Sequence, residues 1–576
     1  MELKNFQNLS ALIKQLDIYL AERHREFFGK SASHPVLPLK QSKVIHDNLW
    51  GTNRFSWREL ALIDTSIFQR LRYIHQVGLA YLVYPSAHHT RFEHCLGVSI
   101  VASRIFDSLL QRQSGEFENI IRAMDGNAEF NLRIKQLRQE LRLAALLHDI
   151  GHSLFSHTSE QVYEELHLLR AASEELSALI GKTKGAGEVL SFCLSSTESI
   201  RSVLTRRQKN LIGVTSSEDF SEAIDFDNVS LMIVGRSKHP FLQFLGDIIS
   251  SGFDADKLDY LLRDATFAGL PLRYDLDRYL YEVRLQKDII SDGDGCLKKL
   301  YDATGSGHID ASPADGNHRF PYYETYRLRL PREAMNIIEQ VVICKFMLFS
   351  YIYHHPKVRA AEGLLMRTLR QKVDVWKKEG KSEQEILQEF LEMTDGSLQN
   401  LSGTPLIKDC SYRLVNRLLP REIYRLSAAI TSHAEKPLLA DFLTDLQDHE
   451  KRNELVKNLE QEIGQELIKL DETLPKDWEE ALRQAGVWVD IPKAPEFEDV
   501  DKLVLGLRSG APDVQLLSVF PIDRWVQAYT HFRYYVRIFS FSEYRDAAMN
   551  AAKKAMQKII GIKGDEFYET IKRVRS

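Results

Sequence analysis

The sequence predicts a mostly α protein: a helical core carrying a small β-ribbon insertion, then a helical region, then a small α+β C-terminal module. Three observations predict it. Apolar residues recur at helical spacing through most of the chain before Trp488. Within that span, period-two alternation is confined to Tyr281–Gln286 and Tyr322–Leu330. Runs rich in β-branched residues gather only after Trp488.

Taken in order, residues 3–28 predict an amphipathic helix on Phe6, Leu9, Leu12, Ile13, Leu16, Ile18 and Leu20. Gly29–Gln41, with its prolines and serines, reads as a linker, so residues 1–43 form an N-terminal helix and linker. Residues 44–362 predict one mostly helical domain, with helices over Ser66–Val77, Phe92–Gln113, Leu132–His148, Ser159–Ile180, Phe241–Asp264 and Arg332–His354. Its two alternating segments pair as the ribbon. The glycine- and aspartate-rich stretches between them, Ser291–Gly295 and Gly305–Asn317, predict a long mobile loop, either lid or disordered. Residues 363–480 are charged and helical, and runs such as Lys377–Lys381 read as solvated faces. Residues 481–576 place Val487–Ile491, Lys502–Leu507 and Val514–Phe520 between turn residues, ahead of one long helix.

Composition narrows the function. With 75 Lys and Arg against 80 Asp and Glu, the net charge of -5 exerts no global pull on nucleic acid or anionic membrane, although a local basic pocket stays open. The five cysteines, at 95, 193, 296, 344 and 410, form no Cys-x-x-Cys pair. That argues against a disulfide framework or zinc ribbon and fits a reduced, cytoplasmic setting. Lys4, Lys14 and Asp17 interrupt the first twenty residues, which therefore do not read as a signal peptide. Val341–Tyr353 contains Lys345 and is too short for a bilayer span, so no membrane partner is expected.

Chemistry concentrates at Leu146-Leu147-His148-Asp149-Ile150-Gly151-His152. Burying the Asp149 carboxylate at the end of so apolar a helix costs several kcal/mol unless it is paired or metal-bound. His94 and Asp256 complete a set of two imidazoles and two carboxylates. Such a set suits a divalent cation (iron, manganese, cobalt, nickel, zinc or magnesium) better than copper, and supports hydrolysis. His152 lies one helical turn past His148, and His157 follows; either suits a general acid or a phosphate-holding cation. Arg91 and Lys257 stand beside ligands, placed for phosphate. Tyr260 and Asp264 share the Asp256 helix face, placed for a sugar or for simple packing.

The order His…His-Asp…Asp resembles the ligand signature of the HD metal-dependent phosphohydrolases. Longer segments are similar to the deoxynucleoside triphosphate triphosphohydrolases of the SAM-and-HD-domain type: Ile63–Thr65, Phe68–Ile74, Tyr84–His94, His148–His157, Asp254–Asp264 and Tyr353–His355. The likeness covers Val44 to Glu362, a helical HD-domain core; residues 1–43 are too few for a SAM domain. It implies attack at the α-phosphate of a nucleoside triphosphate, releasing nucleoside and inorganic triphosphate, in a homo-oligomer. It implies phosphate or sugar contacts at Arg91, Lys257 and Tyr260, and a sugar contact at Gln76. Asp264 falls where the sugar 3′-hydroxyl is held, and Tyr353 where the sugar is stacked and a 2′-hydroxyl excluded. Val77 replaces a leucine and loosens that exclusion. Asp64, Gln69 and Arg72 fall where a regulatory guanine nucleotide binds in such enzymes. Two departures stand out. Glu160 replaces an aspartate of the catalytic set, and Gly187 stands where its second histidine belongs, leaving His152 and His157, or His167 as substitute. The alternatives are an HD phosphodiesterase or nuclease acting on nucleic acid or a cyclic dinucleotide, and a weakly catalytic nucleotide sensor.

Overall fold

Helix α1 (Gln7–Arg23) buries Leu9, Leu12, Leu16, Tyr19 and Leu20, the stripe its spacing predicts, and so belongs to the main core. The protein is described by a computed structural model over residues 5–25, 42–124, 129–206, 224–304, 311–313, 319–427, 449–492, 504–506, 514–515 and 535–561. The expected linker Gly29–Gln41 lies outside these residues.

A hairpin follows that the sequence analysis missed: β1 (Ser42–Asp47) pairs antiparallel with β2 (Gly51–Ser56). Its signal was weak because few of its side chains are buried. Asp47 Oδ1 accepts the Leu49 and Trp50 amides at 2.8 and 2.9 Å, which tightens the turn before Gly51 (φ 70°). Ser56 and Glu59 form a capping box that starts α2 (Trp57–Ile63).

Three predicted helices are interrupted, each by a side chain capturing backbone. Ser66–Val77 is helical only to Gln69, followed by a 3₁₀ turn over Arg70–Tyr73, because Asp395 takes the His75 amide at 2.8 Å and His75 bridges to Thr90. Ser159–Ile180 is two helices, α5 (His157–Tyr163) and α6 (His167–Ile180), because Glu383 accepts the His167 and Leu168 amides at 3.1 and 2.9 Å. Phe241–Asp264 ends at Ile249 and restarts where Asp254 caps a new helix by accepting the Lys257 amide at 2.7 Å. The site is carried by α3 (Arg91–Arg112), α4 (Phe130–Leu147) and this restarted helix, α8 (Ala255–Phe267), with α7 (Ala186–Ser195) beside them. α8 crosses α3 at Gly97, where a Cβ would stand 2.0 Å from Asp259 Oδ1.

The ribbon forms as β3 (Arg284–Ser291) against β4 (Tyr322–Pro331), with Arg284 opposite Arg329 and Ser291 opposite Tyr322. It begins later than predicted because Leu276–Glu282 is helical. A helix over Cys296–Ala303 occupies part of the expected loop, whose residues 305–310 and 314–318 are outside the described set. Val504–Gly506 extends this sheet, parallel to β4. The apolar stretch Arg332–Tyr353 is long enough to cross a membrane, contrary to expectation, but Ile337, Ile338, Val341, Val342, Leu348 and Ile352 are buried in the protein core. Farther on, Arg421–Ser427, Trp488–Asp490 and Tyr535–Ser540 form an antiparallel sheet packed on helices His449–Leu470 and Arg545–Ile560, around a second core that includes Leu459, Ile463, Ile538 and Met556. This third sheet completes the mostly α architecture with its small β elements.

Gly97→Ala is expected to force α8 away from α3. Chemical denaturation should register a loss of about 1–3 kcal/mol.

Candidate metal centre and active site

The turns that end α4 and begin α3 and α8 bring four side chains to one point. His94 Nε2 lies 3.3 Å from His148 Nε2, 3.6 Å from Asp149 Oδ2 and 3.0 Å from Asp256 Oδ1. His148 Nε2 is 3.5 Å from Asp149 Oδ1 and 3.8 Å from Asp256 Oδ1. The other ring nitrogens are committed elsewhere. His94 Nδ1 faces Asp259 Oδ2 at 2.7 Å, and His148 Nδ1 donates to the Ala145 carbonyl at 2.7 Å. Both Nε2 atoms are thereby turned toward the two carboxylates, the arrangement a divalent cation requires of histidine ligands. The donor set therefore fits such an ion.

The same cluster is charged and buried. Burial alone would depress the His94 imidazolium, but hydrogen bonds to Asp256 and Asp259 outweigh it and push its pKa up to about 10. Burial opposes ionisation of Asp149, but Arg91, His148 and His152 hold its carboxyl well below the usual range. Asp259 stands behind His94. It accepts Trp50 Nε1 at 2.5 Å and Arg263 at 2.7 and 2.9 Å, and Arg263 reaches on to Asp47 at 3.0 Å.

A second group adjoins the first. His152 Nε2 lies 3.1 Å from Asp149 Oδ1, and its Nδ1 lies 3.0 Å from Glu160 Oε1, an ion-pair contact without hydrogen-bond alignment. Glu160 Oε2 accepts from His157 Nδ1 at 2.6 Å. His157 is the open end of this chain, its side chain 75% exposed. Burial and Arg91 depress His152, but Glu160 and Asp149 overcome them and push it up to about 9. Arg91 is buried, paired with Asp149, bonded to Ser156 Oγ at 2.7 Å and 3.5 Å from His157 Nε2. Gly187 explains both sequence departures at once. A Cβ there would stand 2.0 Å from Glu160 Oε1 and 2.5 Å from His152 Cε1, so the longer acidic side chain fills the space a residue at 187 would need. His167 is exposed at the start of α6, bonded through its backbone to Glu383, and is not brought into this group.

The remaining expected residues divide. Asp264 lies between His89 Nε2, at 2.8 Å, and the Tyr353 hydroxyl. Gln76 Oε1 is a buried acceptor with no partner among the described residues, and Tyr260 is half-buried on the face of α8. Lys257 instead turns back to Asp254 and the Ser251 carbonyl, at 2.8 and 2.7 Å. Val77 is packed in the core. Gln69 accepts from Arg72 Nε at 2.8 Å, and the Arg72 guanidinium lies over the Phe92 ring; Asp64 is exposed at the end of α2.

Sequence reasoning missed Asp259, Trp50, His89 and Asp395. Asp259 was visible three residues after Asp256. Asp395 carried no local signal, yet it takes the Phe155 amide at 2.6 Å and pairs with His75, fixing the loop that leads to His157. Trp50→Phe removes one of the donors to Asp259 and is expected to weaken Mn²⁺ binding by about tenfold in calorimetric titration. Gly187→Ala is expected to displace Glu160 and lower turnover by about 10²-fold with metal binding little changed. Wild-type turnover in that variant would mean Glu160 does not position His152 and His157.

Residues 91–211 match the family model "HD domain". The chain is 27% identical over 328 residues to an uncharacterized protein of Methanocaldococcus jannaschii, covering 57% of this chain and 49% of that one. It is 26% identical over 343 residues to one of Bacillus subtilis, covering 58% and 57%. It is 30% identical over 262 residues to the Homo sapiens deoxynucleoside triphosphate triphosphohydrolase, covering 42% and 36%. The chain thus spans about half the length of the first two relatives. A crystal structure of a hypothetical protein from Aquifex aeolicus shares the fold, with a TM-score of 0.52 at 21% identity over 89% of this chain and 100% of that one. With four side chains gathered at one point and this match beginning at Arg91, residues 91–211 are an HD domain in sequence and in the clustering of His94, His148 and Asp149.

Proposed function

We propose that the chain is a metal-dependent hydrolase of deoxynucleoside and nucleoside triphosphates that attacks the α-phosphate and releases nucleoside and inorganic triphosphate. The observation that carries this reading is the flanking of one four-ligand cluster by the His152–Glu160–His157 chain and by the Tyr353–Asp264–His89 chain. The name of the human relative supports the substrate class. A divalent cation held by His94, His148, Asp149 and Asp256 would polarise a phosphoryl oxygen and raise the acidity of water.

The protein's own groups supply the rest. His152, charged between Asp149 and Glu160, holds negative charge on the phosphate. His157, the exposed end of the chain, delivers a proton to the leaving 5′-oxygen, with Glu160 fixing its Nδ1. Arg91 steadies Asp149 and the phosphate edge. Asp264 and Tyr353 receive the sugar, and Gln76 offers it a buried acceptor. Asp64, Gln69 and Arg72 are proposed as a regulatory nucleotide surface. A homo-oligomer in the cytoplasm completes the reading; the five cysteines are all free and buried, which fits a reducing setting.

Product analysis tests it. Protein loaded in parallel with Mn²⁺, Mg²⁺, Fe²⁺ or Co²⁺ is incubated with each triphosphate, singly and mixed, and the products are separated by ion-pair chromatography. Nucleoside plus inorganic triphosphate is expected, abolished in Asp149→Ala. Metal-loaded protein that turns over no nucleotide would overturn the reading in favour of a nucleic-acid or cyclic-dinucleotide phosphodiesterase, or of a nucleotide sensor.

A further inference from the structure

Apart from the metal centre, a cavity of about 500 Å³ is walled by the β1–β2 hairpin, α2, α3 and α4. Its lining brings four guanidinium groups, Arg54, Arg104, Arg138 and Arg142, against two carboxylates, Glu59 and Asp107. Arg142 pairs with Glu59, and Arg138 grips Asp107 through two bonds of 2.7 Å. Both carboxylates are thereby used. Arg54 bonds only to Ser42 Oγ, at 2.8 Å, and Arg104 to the Trp50 carbonyl, at 3.1 Å. Neither has a carboxylate within ion-pair distance among the described residues. Gln139 Nε2 is buried in the same wall without an acceptor among the described residues.

The cavity thus offers more donors and more positive charge than the protein satisfies, and Ile100 is the one apolar residue among the described residues of its lining. That chemistry selects an anion, and the guanidinium fork matches phosphate oxygens in pairs. The volume admits a ligand of nucleotide size rather than a single ion. The site also touches the support of the metal centre. Arg104 and Asn53, both lining it, hold the Trp50 carbonyl at 3.1 and 3.0 Å, and Trp50 Nε1 bonds to the Asp259 carboxylate behind His94.

We propose that this cavity binds a small polyphosphate, at a place distinct from both the metal centre and the Asp64–Gln69–Arg72 surface, and that its occupancy is felt at α8 through Trp50 and Asp259. The inference stands whether or not the metal centre hydrolyses nucleotides.

The test uses the full chain in EDTA, titrated calorimetrically with inorganic tripolyphosphate and, separately, with ATP. Wild type and Lys257→Gln should bind alike. Arg54→Glu/Arg138→Glu, changed at two partly exposed positions of the lining, should bind at least tenfold more weakly with its melting temperature nearly unchanged. Tighter binding of ATP than of tripolyphosphate assigns the site to a nucleotide; the reverse order assigns it to the inorganic polyanion. No binding by wild type, unchanged binding by the folded double variant, or loss confined to Lys257→Gln would each overturn the site. Amide exchange over residues 255–263 should slow on binding in wild type and not in Trp50→Phe; slowing confined to residues 42–56 would overturn the coupling.

Discussion

The carboxylate of Asp259 is the constraint on which the metal centre depends. It is fully buried, and burial alone would favour its neutral form, yet Arg263 and His94 hold its pKa down to about 2. One oxygen serves His94 and Arg263; the other takes Trp50 Nε1 and Arg263. Removing Arg263 would leave this buried carboxylate without its permanent counter-charge, at a cost of about 3–5 kcal/mol. This carboxylate turns His94 Nε2 toward the ligand cluster, anchors the hairpin through Trp50, and obliges α3 to present glycine at position 97. Ligand orientation, hairpin docking and helix crossing are consequences of one satisfied charge.

The hydrolytic side of the site is organised by shape as much as by charge. Glu160 reaches between His152 and His157 because position 187 has no side chain, so two departures from the expected pattern become one solution. The approach to this group is strained: Phe155 and Ser156, neither of them glycine, adopt φ of 49° and 56°. Such backbone costs on the order of 1–3 kcal/mol per residue and persists only where the surroundings over-determine it. Asp395 on the Phe155 amide, and Ser156 Oγ between Arg91 and the His75 carbonyl, supply that determination.

What the sequence disclosed follows from how local each signal is. His94, His148, Asp149 and Asp256 sit in short runs of distinctive local sequence, so the residues that cluster in space were legible together. Long amphipathic helices such as Gln7–Arg23 and Phe130–Leu147 were legible from periodicity, which depends on nearby residues alone. Two of the three helix interruptions were not, because Glu383 and Asp395 act from more than two hundred residues away. The hairpin escaped because its strands bury few side chains and owe their place to Asp47, Trp50 and distant Asp259. Lys257 shows the converse: adjacency to a ligand suggested a phosphate contact, whereas the side chain bonds to its own helix cap.

The stretch matching the HD-domain model, residues 91–211, holds three of the four clustered residues, His94, His148 and Asp149, and the whole His152–Glu160–His157 group. It does not hold the whole cluster or its supports. Asp256 and Asp259 come from α8, the Asp264 partner Tyr353 from the helix beyond the ribbon, and the clamp on Phe155 from Asp395. Each contributes a contact of its own: the fourth member of the cluster, the orientation of His94, the hydroxyl on Asp264 and the path to His157. Ser153 Oγ also donates to the Phe390 carbonyl, so the helix Glu383–Glu392 is bound to the loop after His152. The charged helical region after residue 363, which composition reads as solvated faces, thus includes the element that holds the loop to His157 in place, and the candidate site draws on the folded chain through at least Asp395.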